Sequence, residues 1–168
     1  MPLSMYQAAV PTISRALENL AAVLEKAAQQ VDAKKFPPEA YVNARLFPDM
    51  FPLSKQVQIA SDIAKGGCAR LAQVEPPAFE DNETTFAQLA ERARKTVKFL
   101  ETLKPAQIDG SEERTVTWKT RTAEKSMKGQ PYLITHVLPN VFFHCATAYN
   151  ILRHNGIEIG KQDFLGKS

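Results

Sequence analysis

QPYLITHVLPNVFFHCATAYNILRHNGIEIGKQDFLG, residues 130–166, repeats apolar side chains at helical spacing as far as Asn155. Gly156 then stands where a left-handed residue ends such a helix. Within it His136, Asn140 and His144 fall at successive i, i+4 steps, so an unbroken helix projects all three from one face. Val137, Val141, Phe142 and Cys145 surround that column. Polar groups stacked within an apolar neighbourhood imply a pocket, and Pro139 implies a bend. The column by itself names no reaction.

Three further helical patterns lie upstream. From Ser4 to about Gln30 the positions Met5, Ala9, Ile13, Leu17, Leu20 and Leu24 keep helical spacing. Ser4 is the expected cap, and Pro11 predicts either a kink or a later start. Pro37 and Pro38 exclude continued helix. A second helix is predicted over about Leu53–Leu71, with Leu53, Val57, Ala60, Ala64, Cys68 and Leu71 inward. A third spans about Thr85–Leu103, capped from Asp81, Asn82 or Thr84, with Arg92, Arg94, Lys95, Lys98 and Glu101 turned outward. Between Gln107 and Gly129 the period changes: Val116 and Trp118 alternate with Thr115, Thr117 and Lys119, which predicts a strand. A return over Thr122–Met127, with its turn near Thr120 and Arg121, makes a small β-hairpin or irregular insert. Phe164 and Leu165 are expected to anchor the tail. The fold class is therefore all-α, a four-helix bundle with one insert between the third and fourth helices, as a single domain over residues 1–168.

The chain has 168 residues, enough to bury about two-thirds of the surface its unfolded form exposes. Its 44% hydrophobic and 23% charged composition belongs to soluble globular proteins. The net charge of +3 comes from Lys and Arg interleaved with Asp and Glu, so nucleic acid is not an expected partner. No apolar run reaches the ~20 residues that span a bilayer, and MPLSMYQAAV lacks a secretory layout. The expected location is the cytoplasm, with no membrane partner. Cys68 and Cys145 are expected as buried free thiols. There is no GxSxG or CxxC motif, and GKQDFLG is not a phosphate-binding loop.

PLSKQVQIASDIAK (residues 52–65), taken with LPNVFFHCATAYNILRHNGIEIGKQDFLG (138–166), resembles a branch of the DinB/YfiT-like metalloenzyme superfamily, a branch itself of unknown function. The resemblance extends over nearly the whole chain. It implies up-down-down-up connectivity and homodimers. In the wider superfamily, three histidines bind a divalent metal, one from the second helix and two, as HxxxH, from the fourth. By that resemblance Asn140 takes the first HxxxH position and His144 the second, and the second-helix position falls at Gln58 or Gln56. Amides are poor transition-metal ligands beside imidazole. Asp62, one turn beyond Gln58, supplies a carboxylate, and a site of His144 with Asp62 remains incomplete. No cofactor is expected; the alternative is a divalent metal (Zn, Ni or Fe) on His144.

The expected pocket residues are thus Gln58, Asp62, Asn140, His144 and Tyr149. Each has a purely structural alternative. His144 can satisfy a backbone carbonyl or Asp62, and Asn140 can repair the helix defect made by Pro139. Asp62 must be paired. Asp163 has Lys161 or Arg153 within reach, and Arg153 and His154 suit the negative end of the helix dipole. The expected function is a homodimeric helical bundle lacking the three-histidine site and binding a small polar ligand. The alternative is a divergent metal- or thiol-dependent enzyme, of hydrolase or transferase type, built around His144 and Asp62.

Overall fold

Ser4 starts the first helix. Its hydroxyl accepts the Gln7 amide at 3.2 Å, while the Gln7 side chain accepts the Ser4 amide at 3.2 Å. In the computed structural model, which describes residues 2–120 and 122–166, this cap opens α1 (Met5–Ala33). The helix runs through Pro11 rather than beginning there. Proline removes a backbone donor, and Thr12 Oγ1 donates to the Gln7 carbonyl at 3.4 Å in its place.

A short α2 (Pro38–Val42) begins on Pro38, where a missing N–H costs nothing. α3 (Leu53–Ala72) then runs until Gln73 adopts a left-handed conformation at φ 56°. α4 (Phe86–Thr102) is capped by Thr85, not by Asp81, Asn82 or Thr84: its hydroxyl takes the Gln88 amide, and Gln88 Oε1 takes the Thr85 amide. After α5 (Pro105–Ile108), the insert is a hairpin. β1 (Thr115–Lys119) pairs antiparallel with β2 (Glu124–Lys128), Thr115 opposite Lys128 and Trp118 opposite Lys125. Thr120 closes the turn through its amide to the Ala123 carbonyl at 2.8 Å; Arg121 lies outside the described residues.

The predicted fourth helix is one continuous rod of changing pitch. α6 (Gly129–Pro131) leads into a π-helical turn (Tyr132–Val137), then α7 (Leu138–His154). The wide turn sits immediately before Pro139, where the helix must already forgo a hydrogen bond. Gly156 follows with φ 84°. α8 (Lys161–Leu165) docks on α1: Arg15 donates to the Leu165 carbonyl and Asn19 to the Phe164 carbonyl. The Phe164 ring packs on Tyr149, whereas Leu165 anchors through its carbonyl and leaves its side chain exposed. Asp163 pairs with Lys26 at 3.0 Å rather than with Lys161 or Arg153.

Cross-helix contacts set the connectivity. Tyr41, just beyond α1, meets Phe86 at the start of α4, and Glu25 pairs with Arg94, so α1 and α4 run antiparallel. Lys55–Asp81 and Gln58–Glu83, just ahead of α4, and Ser61–Thr96 within it rise together along the chain, so α3 and α4 are parallel. Gln56–His144 at one end and Gly67–Val137 at the other make α3 and α7 antiparallel. The bundle is therefore up-down-down-up. A Cβ on Gly67 would meet Val137 methyls at 2.7 and 2.8 Å, and one on Gly129 would meet the Ser111 carbonyl at 2.0 Å. Both positions need glycine for closeness.

One outward-facing expectation fails. Arg92 is only 2% exposed. The segment 74–85 between α3 and α4 folds back over it, so the face of α4 that would be solvated is covered by acidic chain. Among the described residues no helix is long and apolar enough to cross a membrane.

Candidate functional site

Gln56, Ala60, Ala64 and Gly67 follow one another at helical spacing on α3, and the small ones let α7 approach closely. Gln56 ends that stripe, buried against α7. His144 meets it there: His144 Nδ1 lies 2.7 Å from Gln56 Oε1. The Gln56 amide nitrogen donates to the Phe51 carbonyl at 3.1 Å. A carbonyl only accepts, so the amide nitrogen must face Phe51 and the oxygen must face the imidazole. Nδ1 therefore carries the proton, and Nε2 keeps its lone pair. Burial depresses the His144 pKa below its ordinary 6.5, which favours the neutral ring. The Phe143 ring stands edge-on beside it, 5.2 Å between centroids and 88° between planes.

The rest of the polar column does not converge on His144. Asn140 Nδ2 turns back to donate to the His136 carbonyl at 2.6 Å, and Thr135 Oγ1 does the same for the Pro131 carbonyl at 2.7 Å. Both bonds answer the irregular ladder around the π-helical turn. His136 instead stacks with Trp118 of the hairpin, at 4.8 Å, and with Tyr132, at 5.4 Å. Its pKa is lowered by burial first, then by the charges of Lys125 and Arg70. Tyr149 donates to the Ile159 carbonyl at 3.4 Å and packs on Phe164.

Gln58 lies two residues, about 200° of rotation, from Gln56 and so faces another way. With Asp62 and Lys65 it joins a second cluster centred on Arg92. One terminal nitrogen of Arg92 donates to Glu83 at 2.8 Å and to the Glu80 carbonyl at 2.9 Å; the other reaches Asp62 at 2.9 Å and Asp81 at 3.0 Å. Gln58 donates to the second Glu83 oxygen at 2.9 Å, and Lys65 pairs with Asp62 at 2.9 Å. Lys65 and Arg92 also sit over the Phe79 ring. A cavity of about 380 Å³ lies alongside, lined by Phe79, Glu80, Gln88 and Lys95 among others. Both terminal nitrogens of Arg92 are engaged by the chain itself, while its buried Nε has no partner among the described residues, so this cluster is a clasp holding segment 74–85 onto the bundle. His144 and Asp62 thus belong to separate networks.

The resemblance implies a three-histidine metal centre, and the amides at two of its positions are already engaged within the chain. Gln56 Oε1 is engaged by an imidazole N–H, and the Asn140 amide is engaged by a backbone carbonyl. Among the described residues no group of three or more His, Cys, Asp or Glu side chains gathers to hold a metal ion. Thiol chemistry is no better placed. Burial pushes both Cys68 and Cys145 up to about 12, far from the thiolate a nucleophile needs.

The model of a domain of unknown function, DUF1993, matches residues 5–165. The chain belongs to the DUF1993 family. Among solved structures, this DUF1993 chain is similar to a DinB family member protein from Shewanella denitrificans, at 40% identity and a TM-score of 0.87, over 97% of this chain and 92% of that one. No curated protein sequence matches. The DinB-like bundle expected from residues 52–65 and 138–166 is thus the fold of this DUF1993 protein. Sequence reasoning set Gln58 ahead of Gln56. The stripe of small residues ending at Gln56 was the signal that marks which face of α3 meets α7.

Proposed function

We propose that this DUF1993 chain is a metal-free binding module on a DinB-like bundle, taking a small polar ligand and assembling as a homodimer. The observation that carries the reading is the engagement of Gln56 by His144, which leaves one imidazole nitrogen where the superfamily presents three. The alternative of a divergent enzyme gains from the open Nε2 of His144. It loses from the commitment of Asp62 to Arg92 and Lys65, and from the burial of both thiols.

Metal analysis of purified protein, with melting curves in Zn, Ni, Fe(II) and Mn, tests the reading. A ion that binds only the folded chain must raise Tm. The expected result is substoichiometric metal and unchanged Tm. Gln56→His combined with Asn140→His, which places histidine at all three positions that the resemblance assigns, should then create affinity for Zn or Ni. Stoichiometric metal lost in His144→Ala would instead favour the enzyme reading. Self-association rests on the resemblance and on exposed apolar side chains such as Phe47 and Phe142. Sedimentation at micromolar concentration decides it.

A further inference from the structure

β2 is one half of a two-stranded sheet and is exposed along its whole length. At the two ends of the ladder the Gly129 amide donates to the Arg114 carbonyl at 2.9 Å and the Thr120 amide to the Ala123 carbonyl at 2.8 Å. Hydrogen-bonded pairs alternate with open ones between them, so Val116–Met127 and Trp118–Lys125 are the bonded pairs. The backbone groups of Glu124, Ser126 and Lys128 therefore point away from β1. Among the described residues no backbone outside the hairpin bonds to Glu124, to Ser126 or to the Lys128 amide. Such an edge can accept another strand, and lysine commonly guards it against doing so.

The order of charges along this edge, EKSMK, selects one strand in particular. Paired antiparallel with itself about Ser126, the edge sets outward backbone groups against outward backbone groups at residues 124, 126 and 128. In that register Glu124 falls opposite Lys128 of a second copy, and Lys128 opposite Glu124 of that copy, on the face that carries Ser126. Lys125 falls opposite Met127, which is 37% exposed. A slip of two residues one way sets Glu124 against Ser126 and Lys128 against Thr122; the other way it carries the strand into α6. Lys128 Nζ donates to the Glu113 carbonyl at 2.9 Å and keeps further donors for a carboxylate. We propose that the free edge of β2 pairs with the same edge of a second copy about a two-fold axis through Ser126. The contact is isologous, as a closed dimer requires. It rests on the homodimer reading above and supplies that dimer's interface.

Amide exchange of the full chain, followed by NMR, gives the first readout. Raising the protein concentration should slow the amides of Glu124, Ser126 and Lys128, and leave Lys125 and Met127, already bonded to β1, little changed. Sedimentation gives the second. Ser126→Pro removes the central outward donor and no bond to β1, so the hairpin should stay and the dimer dissociate. Glu124→Lys and Lys128→Glu each turn two attractive cross-strand pairs into repulsive ones and should weaken self-association about tenfold. An equimolar mixture of these two variants pairs every charge again and should restore association, which a misfolded hairpin would not do. Edge amides that exchange equally fast at every concentration overturn the proposal and leave the edge to a foreign strand. So does a mixture that associates no better than its components. A dimer indifferent to Ser126→Pro has another interface and sinks only this inference, whereas a chain monomeric at every concentration sinks the homodimer reading as well.

Discussion

His144 Nδ1 and Gln56 Oε1 lie 2.7 Å apart across the antiparallel α3–α7 contact, where the rest of the α3 stripe is alanine and glycine. The bond gives that interface its one directional feature at this level of the stripe. Replacing Gln56 by Glu keeps the shape and sets a carboxylate against the imidazole. The His144 pKa, now depressed by burial, should move upward, because an opposite charge favours the protonated ring. An NMR titration of the ring protons in Gln56→Glu reads this directly. A His144 pKa that stays put would mean the two groups do not touch in solution.

The pH dependence of stability follows from the same shift. His144 and His136 both have folded pKa values below the ordinary 6.5, so the unfolded chain binds their protons more readily. Their contribution is fully present above pH 6.5 and is lost as pH falls from there through the folded values. Tm should therefore decline between about pH 6.5 and 5, before the carboxylates of Asp81, Asp163 and Glu25 titrate near pH 4 and below. His144→Gln combined with His136→Phe should flatten the upper part of that decline. A profile unchanged in the double variant would place the effect elsewhere.

Most of the bundle was legible because its helices carry clear apolar periodicity. Leu17, Leu20, Leu24, Leu53 and Leu71 sit in the core where their spacing put them. The hairpin was legible from the alternation of Val116 and Trp118. Arg92 was not. Its amphipathic position says outward, and only the return of segment 74–85, a long-range event, converts that face into an interior. The π-helical turn was similarly hidden: Pro139 signals a defect, but the extra residue that turns His136 toward Trp118 depends on the hairpin packing against it. The split between Gln56 and Gln58 was hidden for a different reason. Both are amides on one helix, and only the neighbour each faces distinguishes them.

Gly67 makes a packing prediction. A methyl there meets the Val137 side chain at under 3 Å, and Val137 is short, branched and fully buried, so it cannot swing aside. Overpacking costs about 1–3 kcal/mol, while Gly→Ala within a helix returns about 1 kcal/mol. Gly67→Ala should therefore destabilise by up to about 2 kcal/mol in urea denaturation. Adding Val137→Ala should cost less in that background than in the native chain, because the new methyl occupies the space vacated. Simple additivity in the double-mutant cycle would show that the two residues are not in contact.

Arg92 makes the sharpest stability prediction. Removing one partner from a buried ion pair costs about 3–5 kcal/mol, because the other charges are left without compensation. Glu83 has 10% of its side chain exposed and Asp62 has 44%, so Asp62 can rehydrate and Glu83 cannot do so fully. Arg92→Leu should thus cost somewhat less than a fully buried pair, about 2–4 kcal/mol. The loss should not be uniform. Segment 74–85 is held by bonds from Arg92 to the Glu80 carbonyl, Asp81 and Glu83, so its amides should exchange with solvent much faster while those of α1 follow global unfolding alone. Arg92→Lys retains a charge but has three donors on a single nitrogen instead of a planar fork, and should fall between the two. Glu83→Gln in the Arg92→Leu background should recover part of the loss by removing the stranded charge. If hydrogen exchange in 74–85 were the same with and without Arg92, the clasp would have to be sought in Lys55 and Asp81 instead, whose 2.6 Å pair ties the same segment to α3.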